Sequence, residues 1–92
     1  MIQSFKGKAA KALWTGQPSR LPPDILQRAS DKLNSLDAAP SLDSLRIPPS
    51  NHLEALSGNR KGQHSIRINN QWRICFHWKD GNAYDVEITD YH

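Results

Sequence analysis

Apolar residues recur at three- and four-residue steps in the first half of the chain and at every second position in the last third. Leu26, Ala29, Leu33 and Leu36 form one apolar stripe, which predicts an amphipathic helix with that face buried. Pro22-Pro23-Asp24 is a suitable opening for it, because proline fits a first helical turn and an aspartate favours the positive end of the helix dipole. A shorter helix is predicted within residues 6–15, with Phe5, Ala9, Ala12 and Leu13 at helical spacing and Gly16-Gln17-Pro18 as its stop. Ahead of it, Ile2-Gln3-Ser4-Phe5 alternates as a short strand would. Residues 37–51 read as a connection broken by Pro40, Pro48 and Pro49, with Leu42 and Leu45 anchoring one helical turn.

After Gly62 the period changes to two. Ile66 and Ile68 alternate with Ser65 and Arg67, then Trp72, Ile74, Phe76 and Trp78 with Arg73, Cys75 and His77, then Tyr84, Val86 and Ile88 with Asp85 and Glu87. Three half-buried strands follow, each with one apolar face. For those faces to agree, Ile68 must sit opposite Trp72 across Asn69-Asn70-Gln71, and Trp78 opposite Asn82 across Lys79-Asp80-Gly81. This register sets Arg67 beside Arg73, Arg73 beside Glu87, Ser65 beside Cys75, and Cys75 beside Asp85, with both arginines on the solvent face. The two helices need an apolar surface to cover, so the expected fold is α+β, with two N-terminal helices packed on one face of a mainly antiparallel sheet.

With 92 residues the chain has room for a single domain, residues 1–92, with a modest core. Cys75 is the only cysteine, which rules out an internal disulfide and suits a reducing, cytoplasmic compartment. No apolar run is long enough to span a bilayer, and the start, Met1-Ile2-Gln3-Ser4-Phe5-Lys6, lacks the apolar stretch of a signal peptide. The net charge of +3 is mild but unevenly placed: Arg60, Lys61, Arg67, Arg73 and Lys79 fall in a stretch, 55–79, with no acid. Such a block attracts phosphates, nucleic acid above all.

Three features carry candidate chemistry. Arg67 and Arg73 present planar donors matched to phosphate oxygens, or else form an ion-pair ladder with Glu87. Gly58-Asn59-Arg60-Lys61-Gly62 is a basic turn suited to an RNA backbone, or simply a solvated loop. The end, Asp90-Tyr91-His92, brings a titratable imidazole, a stacking phenol and a carboxylate directly after a strand. His52, His64, His77 and His92 show no metal-ligand spacing, and there is no phosphate-binding glycine loop, so neither metal nor cofactor is expected. His64 falls on the apolar side, as a core or edge residue, and His52 reads as an exposed bystander.

Taken in order, Ile2-Gln3-Ser4-Phe5-Lys6, Leu36-Asp37-Ala38-Ala39, Gly58-Asn59-Arg60-Lys61-Gly62, Ser65-Ile66-Arg67, Trp72-Arg73-Ile74 and Asp90-Tyr91-His92 resemble the HigB-type toxins, the plasmid-maintenance killer proteins of the RelE/ParE-like superfamily. The resemblance implies a RelE-like sheet, a bacterial cytoplasmic toxin of a type II toxin–antitoxin system, and metal-independent cleavage of mRNA in the ribosomal A site. It implies a HigA-like helix-turn-helix antitoxin as partner, with operator DNA engaged only through that antitoxin. By position, Arg73 stabilises transition-state charge with Arg67 in support, and His92 is the general acid or base. Asp90 and Tyr91 position it or the RNA, and Asn59, Arg60, Lys61 and Lys79 contact RNA or ribosome. One departure stands out: where the family typically has a histidine and a lysine before the glycine-bracketed turn, this chain has Glu54 and Ser57. A glutamate can act as a base, but serine cannot replace a lysine's charge, which points to a weaker nuclease. It also keeps two alternatives open, a ParE-like inhibitor of DNA gyrase and a weakly active toxin serving mainly as antitoxin partner and corepressor.

Overall fold

The computed structural model describes residues 1–90; Tyr91 and His92 lie outside the described residues. Two α-helices, α1 (Ala9–Trp14) and α2 (Leu26–Ala38), precede four strands: β1 (Glu54–Ala55), β2 (Gln63–Arg67), β3 (Trp72–Lys79) and β4 (Asn82–Asp90). The strands form one antiparallel sheet in the order β1-β2-β3-β4. The predicted N-terminal strand appears as two parallel bridges, Ile2 to Ala83 and Phe5 to Val86, which line the outer edge of β4. Asp37 at the end of α2 accepts the Ile2 amide at 2.9 Å and ties this segment to the helix layer.

Both helices cover the same face of the sheet. Ala29, Leu33 and Leu36 of α2 are fully buried and meet Ile66, Ile74, Phe76, Val86 and Ile88 from the strands. Leu26, the first residue of the stripe, is only partly buried at its margin. Each buried leucine contributes about 1.5–3 kcal/mol, so the stripe alone holds α2 in place. The prolines act as expected: Pro23 starts a single 3-10 turn, Pro23–Ile25, that leads into α2. Leu45 is buried from a second such turn, Asp43–Arg46, inside the predicted connection.

The β2–β3 hairpin has the expected three-residue loop. Ile68 donates its amide to Trp72 at 2.9 Å, and the Asn69 side chain accepts the amides of Gln71 and Trp72, each at 2.8 Å. The β3–β4 hairpin differs from expectation. Lys79 pairs with Asn82 and Trp78 with Ala83, leaving the two-residue turn Asp80-Gly81. Both turn residues have positive φ, 52° and 80°. An Asp-Gly pair in that conformation matches strand twist better than a three-residue loop and therefore wins.

The altered turn is offset by an irregularity further along β4, at Asp85, whose φ is also 52°. The Ser4 hydroxyl accepts the Asp85 amide at 2.9 Å, so the N-terminal segment holds the bulge in place. Across it, Ala83, Val86 and Ile88 all reach the core, and Tyr84, expected there, is displaced and pairs with His77 instead. Beyond the bulge Arg73 lies opposite Thr89, and Cys75 opposite Glu87, rather than opposite Glu87 and Asp85. A bulge adds one residue to one strand, so the partners shift while the apolar face is kept.

Candidate active site

The second face of the sheet, away from the helices, carries the polar residues in cross-strand rows. One row runs Glu54, Ser65, Cys75, Glu87 from β1 to β4, and the next runs Arg67, Arg73, Thr89. Two arginines face each other directly on neighbouring strands, which is unfavourable unless their charge is offset. Three acceptors do so. The Arg73 Nε donates to Ser65 Oγ at 2.8 Å, its Nη2 donates to the His52 carbonyl at 2.7 Å, and Glu54 lies 3.8 Å from the same Nη2. Arg67 donates through Nε to the Asn69 carbonyl at 3.1 Å, and its Nη1 lies 3.3 Å from the His52 Nε2.

Arg73 was expected on the solvent face; its side chain is on that face but only 12% exposed. The reason is the segment 52–57, which folds along β2 as strand β1 and brings Glu54 opposite Ser65 and the His52 carbonyl over the guanidinium. His52 adopts a left-handed backbone, φ 44°, as it turns into that strand. It is therefore no bystander: its carbonyl and its ring meet the two arginines separately. Ser65, fully buried beneath Arg73, is the other contributor that the alternation did not single out for chemistry. His52 has no local sequence signal, because its contacts depend on how 52–57 returns to the sheet, whereas Ser65 lies where the β2–β3 register puts it, on the polar face diagonal to Arg73.

The remaining predicted residues are placed differently. Arg60 donates to Glu87 at 2.9 Å and to Gln63 at 3.2 Å, with 28% of its side chain exposed. It is thus turned onto the sheet rather than held out at the tip of its turn, and it takes the carboxylate expected to serve Arg73. Asn59 and Lys61 are exposed on that turn. Lys79 sits at the β3–β4 turn, about 20 Å along the strand from Arg73 at ~3.3 Å per residue, so it does not join the arginines. Asp90 pairs with Trp72, one position beyond the Arg73–Thr89 pair. Alternation puts it on the other face from Arg73, where it accepts from Gln71 at 3.1 Å. The expected roles of Tyr91 and His92 fall outside the described residues.

Cys75 is fully buried in the polar row, and burial, with Glu87 adding to it, pushes its thiol above the ordinary range, while Arg60, a hydrogen bond donated by the Thr89 hydroxyl to the sulfur, and Arg73 pull the other way. His64 lies on the apolar face as expected, stacked against Phe76 with ring centroids 6.3 Å apart, and burial lowers its pKa. Among the described residues no group of three His, Cys, Asp or Glu side chains could hold a metal ion, and no helix is long and apolar enough to cross a membrane.

Two guanidinium groups thus face each other on neighbouring strands, backed by a buried hydroxyl and bordered by a carboxylate and an imidazole, an arrangement whose planar donors match phosphate oxygens in shape. The fold is that of small bacterial toxins. It superposes on a mutant of YafQ from E. coli with a TM-score of 0.65, at 14% identity, covering 98% of this chain and 91% of that one. It superposes also on a chain of the YoeB–YefM toxin–antitoxin complex of Staphylococcus aureus with a TM-score of 0.62, at 18% identity, covering 100% and 98%. Residues 3–92 match the family described as RelE-like toxin of type II toxin-antitoxin system HigB, and the chain belongs to that family. It is 51% identical over 90 residues to Toxin HigB-1 of Vibrio cholerae serotype O1, covering 96% of this chain and 95% of that protein. It is 37% identical over 93 residues to Endoribonuclease HigB of Proteus vulgaris, covering the whole of both.

Proposed function

We propose that this toxin cleaves mRNA, without a metal ion, on translating ribosomes, and that a HigA-like helix-turn-helix antitoxin neutralises it and carries it to operator DNA. The observation that carries the nuclease reading is Arg73, a nearly covered guanidinium fixed by Ser65 Oγ and the His52 carbonyl with Arg67 directly opposite. A fixed cation is worth more to a developing charge than a mobile one, because no reorganisation is needed as the reaction proceeds. The name of the Proteus vulgaris relative, an endoribonuclease matched along its full length, supports the same reading. The YoeB–YefM complex supports an antitoxin as partner.

In this reading the RNA 2′-hydroxyl attacks the adjacent phosphorus and the bond from phosphorus to the 5′-oxygen breaks. Glu54, beside Arg73, takes the 2′-hydroxyl proton, and His92 gives a proton to the departing 5′-oxygen. The products are a 2′,3′-cyclic phosphate and a 5′-hydroxyl. Arg73 and Arg67 bind the non-bridging oxygens, whose charge grows in the transition state. Tyr91 positions His92 or the RNA, and Asn59 and Lys61 contact the RNA backbone from the exposed turn. The test is to map transcript ends after brief induction of the toxin. New cuts inside translated frames are expected; their absence would rule out the nuclease reading.

A further inference from the structure

Beside the two arginines the surface opens into a groove of about 590 Å³, in the size range of small-ligand clefts. One wall is the outer face of α2, with Arg28, Asp31, Lys32 and Ser35; the other is the β2–β3 turn, with Arg67, Asn69 and Asn70. His52 closes the end nearest Arg73, because its carbonyl accepts from that guanidinium while its ring lines the groove. Arg67 belongs to both places: it faces Arg73 across the strands and also lines the groove. The groove is thus continuous with the candidate active site.

Its chemistry is cationic and polar. Arg28, Lys32 and Arg67 line it against one carboxylate, Asp31, which already accepts from Gln27 at 3.0 Å. Lys32 is held to the buried Asn51 side chain on the groove wall and makes no ion pair among the described residues. Arg28 is exposed and has no ion pair among the described residues. The Asn70 side chain, exposed on the turn, offers an amide that can read a base edge, whereas that of Asn69 is occupied within the loop.

Three cations lining a groove that adjoins the paired arginines, two of them held by hydrogen bonds, suit a chain of phosphates better than a single small anion. We propose that this groove holds RNA where it continues away from the scissile phosphate, with Arg28 and Lys32 on flanking phosphodiesters and Asn70 against a base. The inference rests on the nuclease reading and adds to it a second contact region, on α2. The strand could belong to the message or to the ribosome, since both present the same backbone.

The test uses the full-length protein and Arg28→Glu, with Arg28→Ala as the milder change. Arg28 is exposed, so the thermal transition should be unchanged in both. Binding is measured by fluorescence anisotropy to a single-stranded RNA oligonucleotide made uncleavable by 2′-O-methylation, and separately to vacant ribosomes. Arg28→Glu is expected to weaken binding about tenfold in at least one arm, and Arg28→Ala to reduce the slope of log affinity against log salt by about 0.7, one phosphate contact on a single strand. Loss on the oligonucleotide assigns the groove to the message; loss on ribosomes alone assigns it to ribosomal RNA. Unchanged affinity and slope in both arms, with cleavage still dependent on Arg73, would overturn the groove and leave the nuclease reading intact. A wild-type protein that binds neither probe and cuts no RNA would overturn both.

Discussion

Arg73 has two jobs in this account, and replacing it separates them. It is expected to hold charge on the scissile phosphate, and it also satisfies Ser65 Oγ, fully buried, and the His52 carbonyl at 2.8 and 2.7 Å. Arg73→Ala leaves those two acceptors without this donor, at a cost of about 1–3 kcal/mol for a buried polar group. In a chain of 92 residues that lowers the melting temperature by about 4–8 °C per kcal/mol. On the chemical side, removing one preorganised donor from a developing oxyanion costs about 10²–10³ in rate. Arg73→Lys keeps the charge but not the planar fork, so it cannot reach both acceptors in the same geometry, and its rate should fall between the other two. The assay is single-turnover cleavage of a labelled message, run well below the variants' melting temperatures, with thermal melts in parallel. The rate loss must exceed anything the fraction unfolded explains. A folded Arg73→Ala protein that cleaves at the wild-type rate would refute the assignment, and an unshifted melt would refute the tethering.

Three further outcomes follow from the fold. Arg60→Ala removes the partly buried pair with Glu87, for which a loss of about 1.5–3 kcal/mol is expected, and because Arg60 helps to hold the Cys75 pKa down, the thiol should ionise less readily and react more slowly with a thiol reagent at fixed pH; an unchanged rate would mean that Arg60 does not act on the thiol. Because burial lowers the pKa of His64, the unfolded chain binds more protons there at acidic pH, so stability is complete above the ordinary histidine range and is lost as pH falls through it. His64→Gln should flatten that acid-side fall in melting temperature, and an identical pH profile would exclude His64 as a cause. Leu33→Ala, fully buried where α2 meets the sheet, should cost about 2–5 kcal/mol by denaturant titration, and a loss below 1 kcal/mol, far under the cavity cost, would show that the helix is not fixed by its stripe.

The parts of this molecule legible in the chain are those set by periodicity. The α2 stripe, the three strands and the β2–β3 register follow from which face must be buried, since a one-residue slip would expose every large apolar side chain. The β4 register was harder to read because two local effects act in sequence. Asp80-Gly81 favours the shorter turn, and the left-handed Asp85 then inserts a bulge, so Tyr84 leaves the core and Ala83 enters it. Each effect alone would invert the strand; together they restore its face, which is why Thr89 rather than Glu87 stands beside Arg73.

The candidate site was legible as a pair of arginines but not as a covered one. Its cover comes from His52 and Glu54, in a segment whose return to β2 spans only the two residue pairs Glu54–Ser65 and Ala55–His64. No alternation is long enough there to announce a strand. The pairing of Arg60 with Glu87 joins residues far apart in sequence and depends on the same return. Long-range polar contacts of this kind leave no periodic trace, whereas burial of an apolar face does.

The central claim is chemical: the RNA's own 2′-hydroxyl is the nucleophile at the paired arginines. End-group analysis of RNA cut by the purified toxin tests it most directly, alongside the same message carrying a single 2′-O-methyl group at the cleaved position. Cut ends bearing a 5′-hydroxyl and a 2′,3′-cyclic phosphate, with no cutting at the methylated position, are the predicted result. Fragments with 5′-phosphate ends, or undiminished cleavage at the methylated nucleotide, would contradict it.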